Sequence, residues 1–316
     1  MLLTVENLKT WFPIRRGVFA RTIGYVRAVD GVSFVLGRGE TLGLVGESGC
    51  GKTSLGRTLV GLEKIYDGRV LYEGNDLSRM SSSELRRLKR KMQIIFQDPL
   101  SSLNPRLNIL DIVTEGIAEF NMIERTREAA GAELLKDVGL DADALYRYPH
   151  EFSGGQRQRI NIARAVSLKP DFIVCDEPVS ALDVSIQAQI INLLLELRAR
   201  YDLSYLFISH DLSVVSHIAQ RIAVMYLGRI VEHGETGDII FKPMHPYTQA
   251  LIDAVPIPGS KRKRQVVLQG GTPSASVPPA GCSFHPRCAH AMDICRREPP
   301  RMFESSGHKV SCHLYE

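Results

Sequence analysis

Apolar and polar residues alternate in the first part of the chain, through residues 3–8 and again through residues 26–29 and 32–36. Such alternation is typical of strands with one buried face, so we expect a small antiparallel layer here. A short apolar run at residues 41–45 then opens into glycines, and residues 54–62 have helical character. This order predicts a strand, a loop and a helix.

The middle of the chain changes to helical spacing. Apolar residues recur at helical intervals from residue 109 to residue 138, which predicts a helical subdomain over about residues 100–168. Farther on, two continuous apolar runs, residues 172–175 and 203–209, flank an amphipathic stretch at residues 186–200. This pattern indicates a strand–helix–strand unit with parallel strands, and therefore an α/β fold.

The composition changes near residue 256, where Pro, Gly, Ser and basic residues become frequent. Such a change is typical of a boundary, and we expect a large domain over residues 1–255 and an extension over residues 256–316. No run reaches the roughly 18 to 20 apolar residues of a spanning helix. The first residues also lack the basic and apolar regions of a cleavable signal. The sequence therefore predicts a chain that does not itself cross the membrane.

Composition and charge narrow the class of protein only a little. With 316 residues, 44% hydrophobic and 23% charged, the chain has the composition of an ordinary globular protein rather than a disordered or fibrous one. Its net charge of +4 comes from 39 basic and 35 acidic residues. That excess is not concentrated in a patch that would indicate nucleic acid, so no nucleic-acid partner is expected.

A phosphate-binding motif follows the strand predicted at residues 41–45. Residues 46–53 read Gly-Glu-Ser-Gly-Cys-Gly-Lys-Thr and fit G-x-x-x-x-G-K-[ST] between a strand and a helix, the context that this motif requires. Glycines let backbone N–H groups converge on phosphates, Lys52 adds a positive charge, and the Thr53 hydroxyl can bind Mg²⁺. The expected nucleotide contacts are Gly46, Glu47, Ser48, Gly49, Cys50, Gly51, Lys52, Thr53 and Ser54.

Two carboxylates follow the strand predicted at residues 172–175. Asp176 can bind Mg²⁺, and its neighbour Glu177 can orient a water molecule for attack on the γ-phosphate. By itself such a pair is more often a solvated loop. The phosphate loop in the same chain favours the catalytic interpretation.

A second glycine turn precedes the helical residues 157–166. It consists of Ser153, Gly154, Gly155 and Gln156, and its backbone N–H groups would suit an anion. A helix capped by Ser153 is the alternative interpretation.

These motifs together resemble the nucleotide-binding subunits of ATP-binding-cassette (ABC) transporters, whose signature is the Ser-Gly-Gly-Gln found at residues 153–156. All the motifs stand in the family's order. By this resemblance Asp183 belongs to the D-loop and contacts nucleotide, Gln97 is the Q-loop residue that touches Mg²⁺, and His210 is the switch histidine. The resemblance implies a catalytic set of Lys52, Gln97, Glu177 and His210.

The resemblance narrows to the F-type ATPase subunit of bacterial oligopeptide and dipeptide importers, and it covers nearly the whole chain. It is carried by residues 96–106, 148–156, 176–185, 245–248 and 281–288. The fold it implies is a P-loop NTPase of the α/β class. A RecA-like core, an antiparallel β subdomain and a helical subdomain are then followed by a small, loop-rich cysteine extension.

This resemblance implies an enzyme that converts ATP and water to ADP and phosphate and so powers peptide import. The expected location is peripheral, on the cytoplasmic face of the bacterial inner membrane. Implied partners are a paralogous D-type ATPase or a second copy of the chain, two transmembrane permease subunits, and a periplasmic or lipid-anchored peptide-binding protein. Nickel chelates and glutathione stay open as alternative cargo.

Two other classes of protein are less favoured. A soluble ABC ATPase acting on nucleic acid usually carries two cassettes or a long insertion, whereas Lys52 and Asp176 lie only 124 positions apart and one cassette is present. A catalytically silent module is disfavoured because Lys52, Asp176, Glu177 and His210 are all present.

Pairing of two subunits is also implied by the resemblance. In this family the signature of one subunit caps the ATP held on the phosphate loop of the other. Adenine stacks on an aromatic residue upstream of the loop. Phe12 aligns best with that residue, and Tyr25 is the alternative because an Arg-rich insertion at residues 15–21 blurs the alignment.

Four of the six cysteines lie near the end of the chain: Cys282, Cys288, Cys295 and Cys312. Their spacing differs from the paired C-x₂₋₄-C typical of structural zinc. Four thiolates can hold an iron–sulfur cluster, and these positions resemble the cysteines that bind a 4Fe–4S cluster in peptide-importer ATPases. Zinc, with a nearby histidine as a substitute ligand, and unligated thiols stay open.

Overall fold

The computed structural model describes residues 1–17, 19–254 and 271–316. The contacts of the chain divide it into two compact units. The first unit comprises Met1–Gly37, Thr41–Arg79 and Phe207–Glu316, and the second comprises Arg38–Glu40 and Met80–Leu206. The domain boundary expected near residue 256 lies outside the described residues.

The strands are β1 (Leu3–Arg16), β2 (Arg21–Leu36), β3 (Thr41–Val45), β4 (Asp67–Tyr72), β5 (Asn75–Asp76), β6 (Met92–Ile95), β7 (Phe172–Asp176), β8 (Ser204–Ser209), β9 (Arg221–Tyr226), β10 (Arg229–Glu235), β11 (Met302–Ser305) and β12 (His308–Ser311). The helices are α1 (Lys52–Leu59), α2 (Ser82–Lys89), α3 (Pro99–Ser102), α4 (Ile109–Glu119), α5 (Arg127–Asp137), α6 (Gly154–Val166), α7 (Val184–Tyr201), α8 (Leu212–Ile218), α9 (Thr236–Phe241) and α10 (Pro246–Asp253). Short 3₁₀ turns occur at Leu77–Arg79, Ala142–Tyr146, Pro149–Glu151, His285–Arg287, Ile294–Arg296 and His313–Tyr315. None of the helices in the described ranges has both the length and the apolarity to cross a bilayer.

The first unit contains the antiparallel layer predicted from the early alternation, with strand order β2-β1-β4-β5. Its β1–β2 hairpin is longer than the sequence indicates, because pairing continues through Arg15 and ends at the Arg16–Arg21 pair. The charged residues there interrupt the hydrophobic alternation. Backbone hydrogen bonds between strands do not need apolar side chains, so the hairpin extends beyond its buried part.

A second set of strands in this unit has the order β11-β12-β10-β9-β3. Strand β3, the strand predicted before the phosphate loop, pairs in parallel with β9 and is wholly buried. A Cβ at Gly43 would lie 2.2 Å from Val215 Cγ1 of α8, so the helix packs directly on the strand. Leu227 and Gly228 form the turn between β9 and β10, with positive φ at both positions.

The cysteine extension was expected to be loop-rich, yet it contributes a hairpin to this second set of strands. Strand β12 pairs with β11 and with β10. The wholly buried Glu232 on β10 fastens it there: its carboxylate is 2.7 Å from His308 Nε2 and accepts the backbone N–H groups of Met244 and His245 at 2.7 and 3.0 Å. Glu232 and His308 are 76 positions apart, which explains why local patterns do not reveal this contact.

The second unit holds β8, β7 and β6 in that order, with β6 and β7 parallel. Strand β8 begins in this unit and ends in the first. Helices α3 to α6 occupy the stretch predicted to be helical, and side chains at their starts, such as Asn108 before α4, accept backbone N–H groups. Strand β7 and the 18-residue helix α7 form the predicted strand and helix.

Candidate nucleotide site and cysteine cavity

The phosphate loop connects β3 to α1 and depends on its glycines. A Cβ at Gly46 would lie 2.2 Å from the Met225 carbonyl oxygen, and one at Gly51 would lie 1.9 Å from the Ala28 carbonyl oxygen. Gly51 also has a φ of 108°, in the region that favours glycine. Neighbouring backbone therefore fixes the path of this loop, and larger residues would displace it.

Lys52 is nearly buried at the first position of α1. Its Nζ donates to the Gly46 carbonyl at 2.7 Å and to the Glu47 carbonyl at 2.9 Å. Helix α1 has no acidic residue in its first turn, and Gly51 offers no side chain to cap it. A positive side chain and the positive end of a helix thus act together, as a phosphate-binding site requires.

Cys50 is a packing residue of this loop. It is buried, and burial raises the pKa of its thiol. A neutral buried thiol is not a nucleophile. This agrees with the motif, in which the position of Cys50 accepts any residue.

The side chain of Glu47 turns towards the cysteine extension. Its carboxylate accepts both terminal nitrogens of Arg287, at 2.6 and 2.9 Å, and the Thr272 hydroxyl at 3.0 Å. Its backbone N–H donates to the Tyr247 hydroxyl at 2.8 Å. The guanidinium lowers the pKa of the Glu47 carboxyl, and the carboxylate in turn raises the pKa of Arg287.

The acidic pair lies at the end of β7 in the second unit. Asp176 is buried and Glu177 is half-buried with a φ of 46°. Gln97 Nε2 donates to Glu177 Oε2 at 3.1 Å, and the Ser180 hydroxyl donates to the Glu177 carbonyl at 3.1 Å. The structure thus brings together the expected Q-loop residue and the expected base. The left-handed backbone at Glu177 is unusual for a residue with a side chain and turns the chain sharply after the strand.

The signature turn is a capping box at the start of α6. The Gln156 N–H donates to Ser153 Oγ at 3.3 Å, and the Ser153 N–H donates to Gln156 Oε1 at 3.0 Å. The helix cap at Ser153, which was the alternative interpretation of this sequence, is therefore present. Ser153, Gly154 and Gln156 are nevertheless exposed. A Cβ at Gly155 would lie 2.7 Å from Ile186 Cγ2, so that glycine has a packing reason as well.

The remaining residues expected at the nucleotide site lie on or next to other strands and helices. His210 is exposed at the end of β8, and Asp183 is exposed at the start of α7. Phe12 pairs with Val26 in the β1–β2 hairpin. The alternative adenine platform, Tyr25, packs its ring against Trp11 and Tyr66 at centroid distances of 5.9 and 5.3 Å.

All four cysteines of the extension line one small cavity, together with four histidines. These histidines are His245, His285, His290 and His313. Burial raises the pKa of the Cys282, Cys288 and Cys312 thiols, that of Cys312 to about 11. In the described part of the chain, however, no three or more His, Cys, Asp or Glu side chains are placed to hold a metal ion. The structure therefore brings the four cysteines to one cavity, while the described side chains, as placed, form no metal-binding group.

Sequence reasoning missed the residues that hold Glu47. Arg287 and Tyr247 fall within the stretches at residues 281–288 and 245–248 that carried the family resemblance, but no role followed from that resemblance. They lie 240 and 200 positions from Glu47. The only local feature that marked Arg287 in the sequence was its place between a proline and a cysteine.

Comparison with known proteins agrees with these motifs. Residues 29–180 match the ABC transporter family, and residues 231–295 match the C-terminal region of the oligopeptide/dipeptide transporter family. The oligopeptide transport ATP-binding protein AppF of Bacillus subtilis is 52% identical over 99% of this chain and 97% of its own length. The oligopeptide transport ATP-binding protein OppF of Salmonella typhimurium is 48% identical over 99% of this chain and 96% of its own length.

Solved structures show the same fold at lower identity. The structure of cbiO1 from Clostridium perfringens, part of an ABC transporter complex, has a TM-score of 0.65 at 24% identity and covers 76% of this chain and 91% of its own. A dimer of the ATP-binding cassette MJ0796 bound to ADP and Pi has a TM-score of 0.64 at 24% identity, with 74% and 98% covered. At nearly full length and about half identity, the relatives are decisive: this chain belongs to the ATP-binding subunits of ABC transporters, in the oligopeptide and dipeptide transporter family.

Proposed function

We propose that this chain hydrolyses ATP to ADP and phosphate and thereby drives a peptide importer at the cytoplasmic face of the bacterial inner membrane. The observation that carries the proposal is the phosphate loop, where Lys52 is hydrogen-bonded to the loop carbonyls at the open start of α1. That arrangement is a preformed anion site at the end of a buried strand. The reaction itself, hydrolysis of ATP, is inferred from the family to which the chain belongs.

The phosphate loop binds the triphosphate in this mechanism. Its amides and the Lys52 ammonium neutralise charge that spreads over the γ-phosphoryl oxygens as the bond to the leaving group breaks. The nucleotide contacts are the residues of the loop with Ser54, the ring of Phe12 or Tyr25 beneath adenine, and, from a second subunit, Asp183 and residues 153–156.

Glu177 acts as the base that orients the attacking water and takes up its proton. Gln97 holds the Glu177 carboxylate in the structure, so it is suited to fix the direction of that carboxylate. His210 is assigned to stabilise the γ-phosphoryl group.

Mg²⁺ fits the hard oxygen donors that these motifs provide. Thr53 and Asp176 would hold it, with Gln97 as a third ligand, and the ion would supply positive charge against the negative charge that develops on the phosphates. These residues offer a hydroxyl, a carboxylate and an amide oxygen, which suit this cation.

Peptides are the proposed cargo because the C-terminal match and the named relatives both belong to oligopeptide transport. The proposed partners are two transmembrane permease subunits, a peptide-binding protein outside the membrane, and a D-type ATPase as the other half of the nucleotide-dependent dimer. The exposed signature turn supports pairing with a second chain, since its polar atoms are accessible.

Peptide uptake by cells of the source organism tests the proposed cargo and the proposed ATPase role together. Cells that lack this chain should lose uptake of labelled short peptides, and the wild-type chain should restore it whereas Lys52→Ala should not. Unimpaired peptide uptake in the deletion strain, with loss of nickel-chelate or glutathione uptake instead, would reject the peptide assignment and retain the importer. ATPase activity stimulated by nucleic acid rather than by the permease subunits would reject the importer itself.

We also propose that the cysteine cavity holds a 4Fe–4S cluster. The four thiols that line it, from Cys282, Cys288, Cys295 and Cys312, are the donor set that such a cluster uses. A cluster would cross-link the extension, which has few apolar residues of its own.

Elemental and sulfide analysis of protein purified without oxygen tests the cluster. The expected result is iron and acid-labile sulfide in equal amounts, and their loss in Cys288→Ser. Stoichiometric zinc without sulfide would support the zinc alternative, and protein free of both metals would reject a metal group.

A further inference from the structure

The beginning of the phosphate loop is attached to the cysteine extension by an ion pair that is largely removed from water. The side chain of Arg287 is only 5% exposed and that of Glu47 is 26% exposed. Both terminal nitrogens of the guanidinium donate to the two carboxylate oxygens, at 2.6 and 2.9 Å. This fork-to-fork geometry fixes the direction of both side chains, and it is stronger than an exposed pair.

Arg287 is itself held in place by the surrounding aromatic residues. Its guanidinium lies 5.9 Å from the centroid of the Tyr226 ring. The neighbouring Phe284 is buried and packs on Tyr226 and Tyr247 at centroid distances of 5.2 and 5.5 Å. The segment that carries Arg287 is therefore embedded in the core of the first unit, which fixes the position of the arginine.

The same aromatic group contacts the loop a second time. The Tyr247 hydroxyl accepts the Glu47 N–H at 2.8 Å, and Tyr247 is wholly buried between its aromatic neighbours. Glu47 is thus held through its backbone and through its side chain. Its carbonyl, in turn, accepts Lys52 Nζ at 2.9 Å, so the position of Glu47 also determines where the lysine rests.

Charge gives this arrangement a second effect. The pKa of the Glu47 carboxyl is lowered, chiefly by Arg287, so the group is an anion carried by the loop that is proposed to receive a triphosphate. Unpaired, that anion would repel the phosphates and compete with them for Lys52. Paired with Arg287, it contributes almost no net charge.

We propose that Arg287 is a positioning residue of the nucleotide site, which holds the phosphate loop in its binding shape and neutralises Glu47. The C-terminal extension is then a structural part of the ATP site. The ligand whose binding it supports is a nucleoside triphosphate with Mg²⁺. This inference rests on the proposed binding of nucleotide at residues 46–53.

Calorimetry with the full chain and a non-hydrolysable ATP analogue plus Mg²⁺ tests the proposal. Arg287→Ala should weaken binding about tenfold, because it removes a charged pair and exposes the carboxylate to the phosphates. Adding Glu47→Gln to that variant should restore the affinity to within about threefold of wild type, because the repelling anion is gone. Arg296→Ala, which changes an exposed arginine of the same extension, is the matched control and should bind as wild type does.

The rescue separates the proposal from a merely structural role. A loss of packing at residue 287 would weaken binding whether or not Glu47 carries charge, so a double variant as weak as Arg287→Ala would overturn the proposal. Equal affinity of Arg287→Ala and wild type would overturn it as well. If Arg287→Ala does not fold, Arg287→Lys takes its place. Lysine keeps the charge but loses the forked contact, and about threefold weaker binding is expected, whereas unchanged affinity would count against the proposal.

The same binding measurement on wild-type protein and on Lys52→Ala distinguishes failure of the proposed nucleotide binding from failure of the proposed role of Arg287. Wild-type protein that binds no analogue would reject nucleotide binding itself. Wild-type protein that binds, with Lys52→Ala weakened and Arg287→Ala unchanged, would reject only the role of Arg287. Amide hydrogen exchange over residues 46–51 gives an independent measure, and it should be faster in Arg287→Ala than in Arg296→Ala.

Discussion

The phosphate loop and the signature turn both place glycines at the start of a helix, but they are built differently. In the loop at residues 46–53, backbone from elsewhere in the first unit approaches so closely that Gly51 cannot carry a side chain, and the distant Arg287 holds Glu47. In the signature turn at residues 153–156, Ser153 and Gln156 satisfy each other and remain exposed.

This difference separates two tasks. A loop with fixed backbone and an attached lysine can bind triphosphate by itself, because little conformational freedom remains to be lost on binding. In a self-capped, exposed turn the polar groups bond to one another or to water, which is compatible with the proposed role of this turn as a surface that a second subunit presents to ATP. Intrinsic affinity should therefore depend on the loop, and dimer formation on the turn.

Glu177→Gln should produce the largest effect and make the dimer observable. The amide cannot accept the proton of the attacking water, so hydrolysis should fall about a thousandfold, while ATP binding is retained. Phosphate release by the assembled transporter measures the first effect, and size-exclusion chromatography with ATP, with and without the D-type subunit, measures the trapped dimer. Undiminished phosphate release would remove Glu177 from the role of base.

Lys52→Ala should weaken binding of ATP about a hundredfold, since it deletes a charged hydrogen-bond donor at the phosphates. Calorimetry on the chain without its partners measures this effect. The same measurement on Ser153→Ala should show no loss. Equal losses in the two variants would erase the distinction between loop and turn.

Ser153→Ala in the Glu177→Gln background should lower the fraction of ATP-bound dimer about tenfold and, through the lost cap, reduce the free energy of unfolding by about 1 kcal/mol. Sedimentation and urea unfolding measure the two effects. Ser185→Ala, which changes an exposed serine in the first turn of α7, is a control for the substitution itself. A dimer unaffected by Ser153→Ala would mean that the turn does no more than cap α6.

The smallest expected effect concerns pH. Arg287 lowers the folded-state pKa of Glu47 below its ordinary 4.5, so the pair stabilises the folded protein above that pH and ceases to do so as the pH falls through the lowered value. Because a quarter of the Glu47 side chain remains in water, the difference in free energy of unfolding between wild type and Glu47→Gln should be only about 1 kcal/mol at neutral pH. Urea unfolding should show this difference at neutral pH and its decline as the pH falls below 4.5, the ordinary pKa of the carboxyl; a difference that stays constant with pH would place the pair's contribution in packing rather than charge.

Local patterns were sufficient to predict the strands and helices that flank the continuous segments of the candidate site. The phosphate loop follows from a buried strand, spaced glycines and a lysine within one short motif. Asp176 and Glu177 follow from the strand before them. The two interpretations of Ser153, as anion-binding turn and as helix cap, could not be separated, because a capping box and an exposed signature use the same atoms.

Contacts between distant parts of the chain escaped the same reasoning. The pairing of Glu47 with Arg287 spans 240 positions, and no periodicity encodes it. Strand β12 was missed because its four residues are too short for an alternation to be recognised, and pairing with β10 rather than intrinsic preference makes it a strand. The cysteines were found by composition, but only the fold shows that they share a cavity.

Glu232 limits where the protein can be shortened. Its carboxylate is wholly buried, and one of the groups that satisfy it is the imidazole of His308 in the β11–β12 hairpin. Truncation before His308 would leave the buried carboxyl group of Glu232 short of a hydrogen-bond partner, which destabilises folded proteins by about 1 to 3 kcal/mol. Proteolytic trimming of that hairpin should therefore lower the free energy of unfolding of the chain that remains.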